Sequence, residues 1–457
     1  MNKVVSSIKE AVRLAGVKDG MTVSFHHHLR NGDYVLNMVM EAIAELGIKN
    51  LTVNASSVFD AHEPLIGHIK NGVVTGLEAN YIGGVVGRAI SHGVLDKPVT
   101  FRTHGGRPAA IESGEAHIDV AFIAAPTSDT MGNCTGKYGK AACGSMGYAF
   151  ADAMNADKVV VITDHLVPYP LTDFSISEIY VDYVVQVESI GNPAGIVSGT
   201  TKITRDPVGL VMAQYAAKVI ENSGLLKDGM SFQTGAGGAT LAAAKYLKDI
   251  MLKKNIKGSY GLGGITSYMV DMLNAGCFEA LLDVQCFDLG AVESIRTNPR
   301  HREVTATHYA SPNAKSSAVD SLDVVLLGAT QIDTDFNVNV HTDSNGYIMG
   351  GSGGHSDTAA GAKLAMIIAP LTRARLSIVT DHVLTVSTPG STIDVLVTQR
   401  GIAVNPARAE LRDQLKAAGL PIVEIGELKR IAEELTGKPQ PIHLGSKTVA
   451  NVIYRDG

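Results

Sequence analysis

The sequence predicts an α/β protein of two tandem, internally duplicated lobes, each built on a mainly parallel sheet. Three observations carry this expectation. Short β-branched or aliphatic runs alternate with amphipathic stretches. A set of motifs recurs in the same order at a spacing of roughly 205 residues. The 48 glycines among 457 residues supply many tight connections between strands and helices.

The runs Leu51-Thr52-Val53, Val159-Val160-Val161-Ile162 and Val324-Val325-Leu326-Leu327 are bounded by polar turns, as strands buried on both faces require. Between such runs, Tyr34 to Leu46 sets Val35, Met38, Val39, Ile43 and Leu46 at helical spacing. Strands alternating with helices imply parallel pairing. The repeat begins with Lys18-Asp19-Gly20-Met21-Thr22, which returns as Lys227-Asp228-Gly229-Met230-Ser231. Ile118 to Ile123 is echoed by Leu322 to Leu327, and Asp129 with Asn133 by Asp333 with Asn337. Gly144-Ser145-Met146-Gly147 is then matched by Gly351-Ser352-Gly353-Gly354. Shared strand composition explains one such match but not an ordered set. The lobes are therefore expected at 1–204 and 205–457, joined near residues 197–208, around Val197-Ser198-Gly199-Thr200. The helical run Val208 to Ile220 opens the second lobe, and a ligand is expected in the cleft between the two.

At 45% hydrophobic and 18% charged residues, the chain has material for large cores. A net charge of -6, with no Lys/Arg run longer than two, excludes a nucleic-acid binder. Cys134, Cys143, Cys277 and Cys286 form no CxxC pair and no disulfide framework, which points to a reduced, cytoplasmic setting. The charged N-terminus does not read as a signal peptide, and no run of about 18 apolar residues marks a membrane span. Nucleotide-binding motifs are absent too. Gly132 to Lys137 is followed by tyrosine where a phosphate loop needs Ser or Thr, and Gly235-Ala236-Gly237 by Thr240 where a dinucleotide site needs glycine.

The pattern Ser24-Phe25-His26-His27, with Arg30, Gly32 and Asp33, resembles the citrate lyase alpha chains. The resemblance continues through His104-Gly105-Gly106-Arg107, Gln233 to Gly238 and Gly261 to Thr266. It is densest from Phe336-Asn337-Val338-Asn339-Val340 to Gly353-Gly354-His355-Ser356-Asp357, and covers nearly the whole chain. More distantly the chain is similar to the CoA-transferase superfamily. That similarity implies a NagB/RpiA/CoA-transferase-like fold in each lobe.

The implied reaction converts acetyl-[acyl carrier protein] and citrate into citryl-[acyl carrier protein] and acetate. By the same resemblance, this chain binds no cofactor of its own. The thioester arm is a CoA-like phosphopantetheine group supplied by the acyl carrier protein (gamma) subunit. A beta subunit cleaves the citryl thioester, and the chain forms a homo-oligomer within the complex. Relatives also continue past Gly457, so a returning strand is expected beyond it. The alternatives are a free acyl-CoA:carboxylate CoA-transferase acting on another acid, and a non-catalytic scaffold subunit.

Attack of a carboxylate on a thioester passes through tetrahedral oxyanions, which need preorganised donors such as the N–H groups of glycine turns. Three turns offer them: Gly235, Gly237 and Gly238; Gly263 and Gly264; and Gly353 and Gly354, followed by His355 and Ser356. The last four are the catalytic candidates, against the alternative that Ser356 or Asp357 only caps a helix running through Ala365. Citrate's carboxylates call for cations and N–H donors, and His26, His27, Arg30, Arg102, His104 and Arg107 supply them. Asn337 and Asn339 join the list of substrate contacts. His26-His27-His28 is read as carboxylate recognition or as a satisfied structural group. No metal is assigned, because adjacent side chains diverge on a strand and no carboxylate or cysteine stands at ligand spacing.

Many CoA-transferases carry a glutamate relay in a Ser-Glu-Asn-Gly type motif. Here Asp343-Ser344-Asn345-Gly346 stands in that place, and Gly263-Gly264 fills the turn that holds the glutamate in other branches. The resemblance therefore implies direct attack by citrate's own carboxylate.

Overall fold

A computed structural model describes residues 3–197 and 202–457. Ser198, Gly199 and Thr200, at the expected junction, lie outside the described residues.

The first sheet runs, edge to edge, Val4–Val5, Tyr183–Gln186, Lys158–Thr163, Val120–Ala124, Thr22–Phe25, Leu51–Ala55, Val74–Ala79, Val99–Phe101 and Ala450–Val452. All its pairings are parallel. The second runs His301–Glu303, Phe278–Cys286, Gly258–Ile265, Phe232–Thr234, Val324–Leu327, Leu364–Ile368, Val395–Thr398 and Gly401–Val404, with only the last pair antiparallel. Setting aside the edge additions, both sheets follow one order, and in both the earliest strand of that shared set (Thr22–Phe25 or Phe232–Thr234) lies where the order reverses. Open α/β sheets bind ligands just beyond the carboxyl ends of the strands at such a point.

The sequence repeat has a structural cause. Asp19 Oδ1 accepts from Lys49 N at 2.7 Å, and Asp228 Oδ1 from Lys257 N at 2.9 Å. Asp119 accepts from Thr22 N, and Asp323 from Ser231 N, so each aspartate ties the start of its lobe's first central strand to its neighbour. Asp129 and Asp333 each cap their own turn and receive the amide of Asn133 or Asn337.

The helix Val35–Glu45 matches the 3.6-residue pattern, burying Val35, Leu36, Val39, Met40 and Ile43. Pro207–Asn222 begins with proline in its first turn and Asp206 accepting from Gly209 N, the usual chemistry of a helix start. The helix expected to continue through Ala365 ends at Gly361, and Ala365 lies in the strand Leu364–Ile368.

One segment of the second half of the chain joins the first sheet. Ala450–Val452 pairs with Val99–Phe101 at the edge of the first sheet, so the chain crosses back after the helix Ile425–Thr436. Among the described residues no helix is long and apolar enough to cross a membrane.

Candidate active site

The last of the duplicated motifs forms the seam between the lobes. Around Gly351-Ser352-Gly353-Gly354, Gly350 O accepts from Ile82 N, and Gly353 O from His104 N at 2.8 Å. Reciprocally, Gly147 O accepts from Ala306 N at 2.9 Å and Ser145 Oγ donates to Asp283 O at 2.8 Å. Each lobe thus inserts the same peptide into the other, and the carboxyl ends of both sheets meet there.

Beyond the strand Thr22–Phe25 the chain turns, and the three histidines part. His26 faces back into its own lobe, with Nδ1 3.8 Å from Asp152. His27 faces the second lobe, where Gln285 Nε2 donates to its carbonyl at 3.1 Å, and its Nδ1 is paired with Ser56 Oγ. Its ring stacks on Tyr148 at 4.8 Å between centroids and approaches His104 at 5.9 Å. Burial pushes the imidazoles of His28 and His104 down to about 3, that of His26 to about 4, and that of His27 well below its ordinary value. At neutral pH the cluster is therefore uncharged.

Arg30 holds the cleft's unpaired charge. Its backbone has φ 53°, uncommon outside glycine and an orientation imposed by the fold. The guanidinium lies 5.6 Å from the Phe59 ring centroid and 4.9 Å from that of Phe287, which reaches over from the second lobe. Its one hydrogen bond among the described residues is a 3.5 Å contact to Ile196 O, and no carboxylate pairs with it. A half-buried cation facing aromatic rings and neutral imidazoles is a receptor for an anion.

Gly264 and Gly354 are small for stated reasons. A Cβ on Gly264 would stand 2.3 Å from the Phe287 ring, and one on Gly354 2.3 Å from the Tyr309 hydroxyl. Gly263, at φ 101°, backs onto Gln233. Gly353 is close enough to His104 that a Cβ would sit 3.1 Å from Nε2. Gly235, Gly237 and Gly238 follow the strand Phe232–Thr234 and open the helix Gly238–Lys254.

The structure thus gathers His27, Arg30, His104, Gly263, Gly264, Gly353 and Gly354 around the cleft, and it employs other candidates elsewhere. Arg107 binds Asp152 through both terminal nitrogens, at 2.6 and 2.8 Å, and Asn54 through Nε, a buried ion pair within its own lobe. Arg102 pairs with Glu115 and lies beside Glu78. Asn337 serves the Asp333 turn and Gly390 N, and Asn339 is fully buried among Gln331, His341 and Thr342. His355 is held by Thr388 Oγ1 and Gly328 O, and Ser356 donates to Ser387 O, so neither reaches the cleft. Asp357 caps nothing in its own helix. It accepts from Thr103 Oγ1 at 2.7 Å and Gly105 N at 2.9 Å, tying the second lobe to the first.

Sequence reasoning missed Phe59, Tyr81, Tyr148, Phe287 and Tyr309, because single aromatics carry no motif. Tyr148 did have a signal, since it follows the repeated glycine-serine motif directly. Also unforeseen is a buried set at the seam, where Asp283 Oδ2 meets His301 Nε2 at 2.8 Å and Cys286 Sγ at 3.0 Å. Apart from the cleft, a groove of about 510 Å³ lies beside the strand Ala450–Val452, lined among others by Phe101, His341, Leu444 and Lys447.

Two repeated α/β lobes, joined at the carboxyl ends of their strands over a polar cleft, define a CoA-transferase-like protein. The family model "Citrate lyase, alpha subunit (CitF)" matches residues 1–457. The citrate lyase alpha chain of Klebsiella pneumoniae is 50% identical over 455 residues, covering 100% of this chain and 90% of that one. A crystal structure described as the alpha subunit of citrate lyase from Streptococcus mutans, in complex with citrate, has TM-score 0.98 at 50% identity, covering 100% of this chain and 90% of that one. A malonate decarboxylase alpha subunit from Acinetobacter baumannii shares the fold, with TM-score 0.72 at 16% identity over 95% of this chain and 89% of that one. The chain belongs to the citrate lyase alpha subunit family.

Proposed function

We propose that the chain moves a carrier-bound thiol from acetate to citrate: acetyl-[acyl carrier protein] plus citrate gives citryl-[acyl carrier protein] plus acetate. The observation that carries the site assignment is Arg30, a half-buried guanidinium with no carboxylate partner among the described residues, set where both lobes meet. It anchors one carboxylate of citrate. A second carboxylate attacks the acetyl carbonyl, the thiolate leaves, and a mixed anhydride forms. The thiolate then attacks the citryl carbonyl and acetate departs. The phosphopantetheine arm enters as substrate on the acyl carrier protein. A lyase subunit and that carrier are the partners, in a cytoplasmic complex.

Support for direct attack comes from the two relay positions. Asp343 Oδ1 is occupied in capping Asn345 N and Tyr347 N. A side chain at Gly264 would collide with Phe287. Both acids bound together gain from orientation rather than from a covalent enzyme group. Asn80 Oδ1 accepts the Nδ1–H of the neutral His104, so that ring stands beside Gly353 without adding charge.

The test is citrate-dependent release of radiolabelled acetate from the acetyl carrier, with succinate and butyrate as competing acceptors. Citrate selectivity supports the reading, whereas preference for the other acids replaces it with the free CoA-transferase alternative.

A further inference from the structure

The duplication places Tyr148 and His355 at equivalent positions, each directly after its copy of the glycine-serine motif. Their fates differ. Both nitrogens of His355 are bonded inside its own lobe, to Thr388 and Gly328. Tyr148 belongs to the first lobe by sequence, yet it is part of the second lobe's hydrophobic core, the cluster that holds Leu262, Val284 and Tyr309. On its other side it meets His104 at 4.4 Å, His27 at 4.8 Å and His28 at 5.8 Å between centroids. The three imidazoles hold the ring, while its hydroxyl has no hydrogen-bond partner among the described residues. The residue is only 4% exposed, yet its hydroxyl oxygen is not among the enclosed unpartnered atoms, so this donor opens onto the seam, where a ligand can reach it.

We propose that Tyr148 is a catalytic residue of the transfer, its O–H donating to the oxyanion that forms on the thioester carbonyl. This rests on the transferase reading above. A carboxylate oxygen of citrate bonds to the acetyl carbon, and the carbonyl electron pair moves to oxygen, which accepts a hydrogen bond from the Tyr148 O–H. The pair returns as the C–S bond breaks and the thiolate leaves. The same donor serves the return step, when thiolate adds to the citryl carbonyl and acetate departs. No proton changes hands overall. Burial pushes the phenol well above its ordinary pKa, so it stays a donor across the neutral range. In the second lobe the equivalent place is filled by a histidine serving its own fold, so the duplicated pair yields a single donor.

Tyr148→Phe in the full chain keeps the ring and removes only the donor. Steady-state transfer from the acetyl carrier to citrate should show kcat lower by about 100-fold with KM for citrate little changed, the loss expected for one oxyanion donor. Thermal unfolding and calorimetric titration with citrate, run on the same variant, should match the wild type and so show an intact site. A kcat within about threefold of wild type would overturn the assignment, as would a rise in KM alone, which marks a binding group. If the wild type itself releases no acetate in response to citrate, the transferase reading fails and this inference falls with it. If wild type turns over and Tyr148→Phe equals it, only the inference fails.

Discussion

The hydroxyl of Tyr309 accepts a hydrogen bond from Gln233 at 3.0 Å and stands 2.3 Å from where a Cβ on Gly354 would lie. The glycine is therefore a steric condition for a hydrogen-bonded pair behind the cleft. Its φ of -91° suits any residue, so only space excludes a side chain. Gly354→Ala should displace the Tyr309 ring, costing about 1–3 kcal/mol, as overpacking does. Transfer should slow with it. Adding Tyr309→Phe removes the colliding oxygen and should restore much of the stability, readable by urea unfolding of the single and double variants.

Arg30→Lys tests the anion site. Lysine keeps a charge but loses the planar fork and its stacking on Phe59 and Phe287. Losing a charge-assisted bond of about 2 kcal/mol should raise KM for citrate by roughly 30-fold. Citrate titration calorimetry should show the same weakening. An unchanged citrate affinity would remove Arg30 from the site.

Arg107 and Asp152 form a buried pair, with side chains 4% and 0% exposed. Burial works against the Asp152 charge, but Arg107, with smaller help from His26 and Ser24, holds the carboxyl below its ordinary value. Asp152→Asn leaves the guanidinium buried and unpaired and should destabilise the chain by about 3–5 kcal/mol. Folded Asp152→Asn protein should bind citrate as the wild type does. Weaker citrate binding at full stability would return Arg107 to the substrate.

Asp357 gives a pH signature. Burial raises its carboxyl from 3.8 to about 6, against the bonds from Thr103 and Gly105. Between those values the folded chain holds a proton that the unfolded chain releases. This residue's contribution to stability therefore falls as pH rises through that interval and levels off above it. The stability of wild type relative to Asp357→Asn should be higher at about pH 4 than at about pH 7, measured by urea unfolding. A difference that grows with pH contradicts the buried, raised carboxyl.

Much of the fold was legible because its signals are local. Asp19, Asp119 and Asp129 recur as Asp228, Asp323 and Asp333 because each anchors the same turn or strand start in its lobe. The site was legible only in part. Its groups come from strand ends far apart in sequence, and a residue type does not reveal whether its partner is a ligand or a neighbour. Arg107 and Arg30 read alike as cations, yet one faces Asp152 and the other faces the cleft. Asn337 and His355 sit in the densest motif but serve their own lobe, because the repeat preserves folding chemistry as well as function. The crossing of Ala450–Val452 to the first sheet had no local signal at all.

Direct attack by citrate's carboxylate is open to one decisive measurement. A single turnover with enzyme in excess of acetyl carrier, and with citrate carrying heavy oxygen in its carboxylates, traces the bridging atom of the anhydride. Direct attack predicts that the released acetate carries one citrate oxygen in that first turnover. Unlabelled acetate, with the heavy oxygen left on an enzyme carboxylate, would contradict it.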